Sequence, residues 1–241
     1  SQPTAAIVVI GNEILSGKTQ DANIRFLGSS LAEAGIVLAE AIVVRDDHET
    51  IAKTVRYYSE RYTYVFTTGG IGPTHDDITA EAVAAAFGVK LQLNEEAAEM
   101  IGGERDHPRM KMAMMPPGAS LIENTATRAP GFRLQNVFVM AGIPRIAQAM
   151  FEAVRPTLRG GDAIVSANVD VYLRESEIAE PLTQIVEANP DVEIGSYPFM
   201  REAGYGANLV VRGTDKARVE TVMETVVSMM RDLGADLQRK A

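Results

Sequence analysis

The sequence predicts an α/β protein in which a layered domain with a mostly parallel sheet precedes a small α+β subdomain. First, short apolar segments alternate with amphipathic segments of helical period, as in parallel βαβ units. Second, residues 5–10 are apolar throughout, as expected for a strand buried on both faces. Third, two glycines and a change in charge at residues 159–162 interrupt the pattern. We therefore expect domains at residues 1–160 and 163–241.

The first domain begins with three predicted strands, each followed by a helix. The helix over residues 21–34 carries apolar residues three and four positions apart, and Gly35 follows where a left-handed helix end is favoured. Crossovers between parallel strands are right-handed in nearly all proteins. The predicted strands lie at residues 5–10, 36–44 and 64–67, and the predicted helices at residues 21–34, 47–61 and about 77–87.

The pattern is less regular towards the middle of the chain and regular again after the glycine pair. Before it, we expect a short helix, two paired strands and a helix that begins with Pro144, at residues 95–101, 132–134, 137–140 and 144–158. After it, the predicted order is βαββα, which is typical of helices on one face of a sheet. These elements are predicted at residues 163–173, 176–188, 192–197, 207–213 and 216–233.

Composition narrows the classes of partner. The formal net charge is -9 and no run of Lys or Arg occurs, so the basic surface that nucleic acids and anionic membranes require is missing. The chain contains no Cys, which excludes thiolate chemistry and agrees with a reducing compartment. It shows neither a signal-peptide pattern nor an apolar run of the roughly 20 residues that cross a bilayer. We expect a cytoplasmic protein that binds a small phosphorylated ligand, with no nucleic-acid and no membrane partner.

The glycine loop, residues 67–77, gives the strongest functional signal. It reads Thr-Thr-Gly-Gly-Ile-Gly-Pro-Thr-His-Asp-Asp between a predicted strand and a predicted helix. Unobstructed backbone N–H groups beside a helix N-terminus bind phosphate, although an ordinary tight turn is the alternative. No Gly-Lys-Ser/Thr closes the loop as in a P-loop, and His75 replaces the third glycine of a dinucleotide fingerprint. The residues expected to bind ligand phosphates are Thr68, Gly69, Gly70, Gly72 and Thr74.

Carboxylates follow the glycine loop and the second predicted strand. Asp76 and Asp77 would repel a bound phosphate unless a divalent cation such as Mg²⁺ lay between them. Asp46 follows the second strand, and the ends of parallel strands share the sheet edge at which ligands bind. Each aspartate also has a purely structural alternative. Asp76 or Asp77 could be the N-cap of the following helix, and Asp46 with Glu49 resembles a capping box.

Polar residues also follow the first predicted strand, at the same expected edge. Gly11, Asn12 and Glu13 would meet the ligand or a metal there. Lys18 lies close behind them and would neutralise phosphate charge, while a solvated surface position is its alternative. The three His show none of the spacings that mark a zinc site.

Five motifs carry a family resemblance. They are Ile-Gly-Asn-Glu-Ile-Leu-Ser-Gly at 10–17, Val-Arg-Asp-Asp at 44–47, Thr-Gly-Gly-Ile-Gly-Pro-Thr-His-Asp-Asp-Ile-Thr at 68–79, Ala-Pro-Gly-Phe at 129–132 and Gly-Ile-Pro at 142–144. With them the chain resembles the N-terminal domain of CinA-type competence/damage-inducible proteins, within the MoaB/MogA molybdopterin-binding superfamily. The resemblance implies a three-layer α/β domain, phosphates on the glycine loop, Gly142 as a further ligand-binding residue, and a homodimer or homotrimer.

The resemblance also implies an activity. In MogA-like relatives the aspartates matching Asp46 and Asp77 serve metal-assisted adenylyl transfer to molybdopterin. Both are therefore expected to be catalytic and, with Asp76, to hold a divalent metal such as Mg²⁺, Mn²⁺ or Co²⁺. CinA-like domains look like metal-dependent pyrophosphatases acting on ADP-ribose, and FAD synthase carries a similar domain. We expect metal-dependent hydrolysis of a nucleotide pyrophosphate of the ADP-ribose or FAD type.

Two departures from the family pattern support an alternative. Asn12 stands where such domains usually have Asp, and Ile146 where they usually have Glu. The alternative is a protein that binds molybdopterin or a nucleotide without cleaving it. Adenylyl transfer to molybdopterin is a third hypothesis. It is less favoured because this chain has a subdomain after Gly161, whereas compact MogA-like enzymes have none.

Overall fold

Two compact units make up the chain. A computed structural model describes residues 2–202 and 204–239. The contacts within it divide the chain after Gly161, into units of residues 1–161 and 162–241. Each unit has a hydrophobic core of its own.

Alternating strands and helices form most of the first unit. In chain order they are β1 (Thr4–Ile10), α1 (Asn12–Leu15), α2 (Asn23–Glu33), β2 (Val37–Val44), α3 (His48–Ser59), β3 (Tyr64–Thr68), α4 (Thr79–Ala86), β4 (Gln92–Leu93), α5 (Glu95–Ile101), β5 (Met114–Met115), β6 (Ser120–Ile122), β7 (Gly131–Leu134), β8 (Val137–Met140) and α6 (Pro144–Val154). Short 3₁₀ helices lie at Pro108–Ala113 and Arg155–Thr157.

The main sheet of this unit has six strands in the order β2-β1-β3-β8-β7-β6. The first four are parallel to one another, whereas β7 and β6 run antiparallel to their neighbours. All residues of β1 from Ala5 to Ile10 are buried, as its apolar sequence predicts. The prediction of a mostly parallel sheet is confirmed.

Helices cover both faces of this sheet, which gives the unit three layers. On one face, α3 and α4 contribute Ile51 and Val83 to a core that also contains Val8 of β1. On the other face, α2 and α6 contribute Leu27 and Phe151 to a second core. Because side chains alternate along a strand, the central strands supply both cores. The carboxyl ends of β1, β2, β3 and β8 form one edge, from which the glycine loop emerges.

The second unit is an antiparallel sheet with two helices. Its elements are β9 (Val165–Tyr172), α7 (Glu175–Ala188), β10 (Glu193–Arg201), β11 (Gly204–Gly213), α8 (Lys216–Asp232) and β12 (Asp236–Arg239), and the strand order is β10-β11-β9-β12. Val171, Ile178 and Met223 are fully buried in its core. The predicted βαββα order lacks β12, which is too short and too polar to give a strand pattern.

Element boundaries differ from the prediction where local chemistry interrupts the period. The helix expected from about Asp77 begins only at Thr79. The helix expected over residues 144–158 ends at Val154 and continues as a 3₁₀ turn, because Pro156 cannot donate a backbone hydrogen bond. The four-residue helix α1 was not predicted, since one turn carries no readable period.

The longest helix, α8, has 17 residues and carries charged side chains. No helix in residues 2–202 or 204–239 combines the length and the apolar character of a bilayer span.

Candidate active site at the carboxyl edge of the parallel sheet

The glycine loop leaves β3 beside the end of β1. Gly69 and Gly70 have φ angles of 103° and 68°, which favour glycine. A Cβ atom on Gly69 would lie 2.2 Å from the carbonyl oxygen of Ile10. The Thr79 hydroxyl donates to the carbonyl of Gly69 at 2.9 Å, and the Thr79 N–H donates to that of Gly70 at 3.0 Å. The start of the loop is therefore fixed between two strands and the first residue of α4.

A second close approach joins the glycine loop to the segment after β8. The Gly69 N–H donates to the carbonyl of Met140 at 3.1 Å. A Cβ atom on Gly142 would lie 3.1 Å from the Cα of Gly69. The carbonyl of Gly142 accepts a hydrogen bond from Asn23 Nδ2 at 2.8 Å. Gly142 thus lies against the loop and is held there by α2.

The end of the glycine loop brings two carboxylates to one hydroxyl. Asp77 Oδ2 accepts from the Thr74 N–H at 2.9 Å and lies 2.5 Å from the Thr74 hydroxyl oxygen. Asp76 Oδ1 lies 2.6 Å from the same oxygen, and Lys111 donates to the Thr74 carbonyl. The hydroxyl contact and, to a smaller extent, a backbone hydrogen bond lower the pKa of Asp76 below its usual value. Since a hydroxyl has one proton, it can donate to only one of the two carboxylates at a time.

Neither of these carboxylates caps the following helix. The N-cap of α4 is Ile78, which has no side-chain capping bond. Asp77 instead closes a turn through Thr74, three residues before it in the chain. The capping alternative is therefore wrong, and both carboxylates belong to the loop.

Asp46 and Asp47 have different partners although they are adjacent. Asp47 is the N-cap of α3 and accepts from the Thr50 N–H at 2.9 Å and from the Thr50 hydroxyl at 2.6 Å, which lowers the pKa of Asp47. Asp46 Oδ2 instead accepts from the Asn12 N–H at 2.8 Å, and the Asp46 N–H donates to Asn12 Oδ1 at 3.3 Å. The capping box suggested for Asp46 and Glu49 is therefore wrong, because the cap lies one residue later. Asp46 is tied to the end of β1.

One cavity of about 810 Å³ joins these segments. Four of the predicted site residues do not line it. Gly11 is buried beside Glu13, Asn12 holds Asp46, Lys18 is exposed to solvent, and Thr68 is buried at the end of β3. The predicted site residues that line the cavity are Glu13, Asp46, Gly69, Gly70, Gly72, Thr74, Asp76, Asp77 and Gly142.

Two arginines that sequence reasoning missed also line the cavity. Arg128 directly precedes the Ala-Pro-Gly-Phe motif, so its position beside a motif was an available signal. The buried Asn124 side chain shapes the turn that carries it, donating to the carbonyl of Ala129 at 2.9 Å and accepting from the N–H of Thr127 at 3.1 Å. Arg109 lies in the irregular middle segment and reaches the cavity only through tertiary folding. These arginines supply positive charge to a site otherwise rich in carboxylates.

The donor set suits a cation that is shared with a ligand. Within the part of the chain that the structure describes, no three His, Cys, Asp or Glu side chains form a metal-binding group. Asp76 and Asp77 meet at Thr74, whereas Asp46 pairs with Asn12. Mg²⁺ commonly takes only one or two carboxylates and completes its coordination with water and substrate phosphates. The single Thr74 hydroxyl proton can serve only one of Asp76 and Asp77 at a time. A cation bound between the two carboxylates would offset the charge of the other one.

Each of the two units matches a known protein family. Residues 6–160 match a family described as probable molybdopterin binding domain, and residues 163–235 match FAD synthase, middle domain. A protein of Archaeoglobus fulgidus is 35% identical over 228 residues, covering 94% of this chain and 97% of that protein. A probable FAD synthase of Caenorhabditis elegans is 30% identical over 261 residues, covering 95% of this chain and 50% of that protein. The crystal structure of CinA from Thermoplasma acidophilum matches with a TM-score of 0.61 and 33% identity, covering 64% of this chain and 97% of that one.

These likenesses confirm the family and the fold that the five motifs imply. The match to CinA covers about two thirds of the chain, as the three-layer first unit does. The match of the second unit to a part of FAD synthase adds a relationship that the motifs in the first unit do not carry. The chain belongs to the molybdopterin-binding-domain family, and its first unit has the fold of CinA.

Proposed function

We propose that the protein hydrolyses a nucleotide pyrophosphate of the ADP-ribose or FAD type in the presence of a divalent metal. The observation that carries the proposal is that the glycine loop, three aspartates and two arginines all line one cavity. Its volume of about 810 Å³ is within the range of small-molecule sites. The likeness of the second unit to part of FAD synthase supports a nucleotide ligand.

The glycine loop and the arginines would bind the two phosphates. The Gly69 N–H is bound to the Met140 carbonyl, so Gly70 and Gly72 would supply the loop N–H donors to oxygen ligands. Arg109 and Arg128 would add paired donors that match phosphate geometry. The cavity needs this positive charge because Asp46, Asp76 and Asp77 line it as well. Together these groups would hold the pyrophosphate in one orientation, which is the main requirement of phosphoryl transfer.

The aspartates would divide the remaining tasks. Asp76 and Asp77 would hold a divalent cation together with the substrate phosphates, and such a cation neutralises phosphoryl oxygens and acidifies bound water. Asp46 is oriented by the Asn12 N–H on its Oδ2 atom, which leaves Oδ1 to accept a proton from the attacking water. Water would add to one phosphorus and the other phosphate would leave, so ADP-ribose would yield AMP and ribose 5-phosphate.

The test is a direct assay of AMP release. The protein is incubated with ADP-ribose or FAD and with Mg²⁺, Mn²⁺ or Co²⁺, and products are separated by chromatography. We expect AMP with at least one metal and its loss when EDTA is added. Absence of AMP for every combination of substrate and metal would rule out the hydrolase.

A second candidate is binding without cleavage. The Asn12 amide stands where the family pattern has a carboxylate, and Ile146 presents an apolar side chain to the cavity where the pattern has Glu. Fewer acidic groups favour a site that retains its ligand, either a nucleotide or molybdopterin. Calorimetry that shows tight binding of either ligand, with no product after prolonged incubation, would select this function.

The arginines at the cavity give a prediction for either function. Arg109→Gln and Arg128→Gln should each weaken binding of the phosphorylated ligand on the order of tenfold, because each removes a charge-assisted donor. The matched control is Arg105→Gln, since Arg105 pairs with Glu95 at 2.6 Å and does not line the cavity. Titration calorimetry at low and high salt measures both effects. Equal affinities for the three variants would contradict the assignment.

A further inference from the structure

A second, smaller pocket opens beside the cavity on the side of α2. Its volume is about 50 Å³, and its lining shares Glu13 and Gly142 with the main cavity. Asn23 of α2 and Thr68 of β3 also line it. A dry cavity that admits a benzene ring measures about 150 Å³, and a water molecule needs about 10 to 15 Å³. The pocket therefore has room for a small polar group but not for a base or a pterin ring.

Two buried polar atoms in this pocket lack a partner. Asn23 Oδ1 and Thr68 Oγ1 make no hydrogen bond with any residue that the structure describes. Asn23 is 3% exposed and Thr68 is 1% exposed. Buried polar groups are nearly always hydrogen-bonded, because their loss of water is costly otherwise. The pocket is thus built for a group that the protein alone does not supply.

The chemistry of the lining selects that group. Asn23 Nδ2 donates to the Gly142 carbonyl, so Asn23 Oδ1 remains an acceptor. The Glu13 carboxylate is also an acceptor, whereas the Thr68 hydroxyl both donates and accepts. A phosphate has only acceptors and would be repelled by Glu13. Two neighbouring hydroxyl groups suit all three side chains, because each hydroxyl can donate its proton to Asn23 Oδ1 or to Glu13 and can accept a hydrogen bond from Thr68.

We propose that this pocket binds the vicinal diol of a ribose whose phosphate lies on the glycine loop. Thr68 directly precedes Gly69, and Gly142 lines both the pocket and the cavity, so the two sites are adjacent, as the phosphate and the ribose of one nucleotide are. The proposal rests on the proposed function only in placing a phosphate at the loop. It makes the pocket the device that distinguishes ribonucleotides from deoxyribonucleotides.

The chain offers a matched pair of variants for the test. Thr67 and Thr68 are adjacent in β3, both are buried, and both have an unpartnered hydroxyl. Only Thr68 lines the pocket, because neighbouring side chains in a strand point to opposite faces. Thr67→Val and Thr68→Val each replace an unpartnered hydroxyl with a methyl group of similar size. Both variants should melt at or above the wild-type temperature.

The probes are AMP, 2′-deoxy-AMP and 3′-deoxy-AMP, measured by calorimetry with Mg²⁺ present. The wild-type protein and Thr67→Val should bind AMP about tenfold more tightly than either deoxynucleotide. Thr68→Val should lose most of this preference by weakening AMP alone. Equal binding of all three nucleotides by the wild-type protein would overturn the diol site and leave the phosphate site standing. No binding of any of them would overturn both.

Discussion

Replacing Asp77 with Asn is expected to slow AMP release from ADP-ribose by about 100-fold or more while the glycine loop keeps its shape. The Asn side chain retains an oxygen that can accept from the Thr74 N–H and hydroxyl, as Asp77 does. It loses the negative charge that a divalent cation requires. The rate constant should therefore fall without a matching loss of stability, which steady-state assays and thermal melting measure together.

Asp47→Asn is the matched control for that variant. Asp47 makes a comparable pair of contacts with Thr50, but it caps α3 and does not line the cavity. Asn is as good an N-cap as Asp, so both stability and activity should change by less than about twofold. If Asp77→Asn retains a rate similar to that of Asp47→Asn, Asp77 has no catalytic role.

Gly69→Ala is expected to lower the free energy of unfolding of the first unit by about 3 kcal/mol or more. The φ angle of 103° is unfavourable for alanine, and its Cβ would lie 2.2 Å from the carbonyl oxygen of Ile10. That oxygen belongs to the backbone at the end of β1, so neither strand can yield without disturbing the sheet. Urea unfolding followed by circular dichroism measures the loss.

Gly88→Ala separates backbone strain from the clash. Gly88 also has a positive φ angle, 69°, but a Cβ atom there would meet no atom within 4 Å. Its cost should be limited to about 1 to 2 kcal/mol, the cost of a left-handed residue with a side chain. Equal losses for Gly69→Ala and Gly88→Ala would show that the approach to Ile10 is not tight.

The predictable part of the fold is the part in which burial dictates the sequence. β1 lies between two parallel strands and under helices on both faces, so its residues from Ala5 to Ile10 are all apolar and the strand is readable without homologues. β12 and α1 are short and partly exposed, and their residues satisfy many conformations equally well. Such elements form because a neighbouring strand or turn supports them. The local sequence pattern carries no information about that neighbour.

The candidate site shows the same limit at the level of single residues. Sequence spacing offered Asp46 as an alternative cap of α3, because Glu49 follows three residues later, yet Asp47 with Thr50 forms the cap. Both pairs are good capping chemistry, and a shift of one residue in the helix start decides between them. Only the tertiary contact with Asn12 shows that Asp46 is committed to the sheet edge.

The contact between Gly69 and Gly142 constrains how this protein can diverge. Most packing contacts can drift during evolution, because an enlarged side chain on one side is matched by a reduced one on the other. Here both partners are already glycine, and a Cβ on Gly142 would lie 3.1 Å from the Cα of Gly69. No smaller residue exists to compensate a change at either position. A side chain at Gly142 therefore requires the backbone of Gly69 to shift by a few tenths of an ångström, and no substitution at Gly69 can make that room.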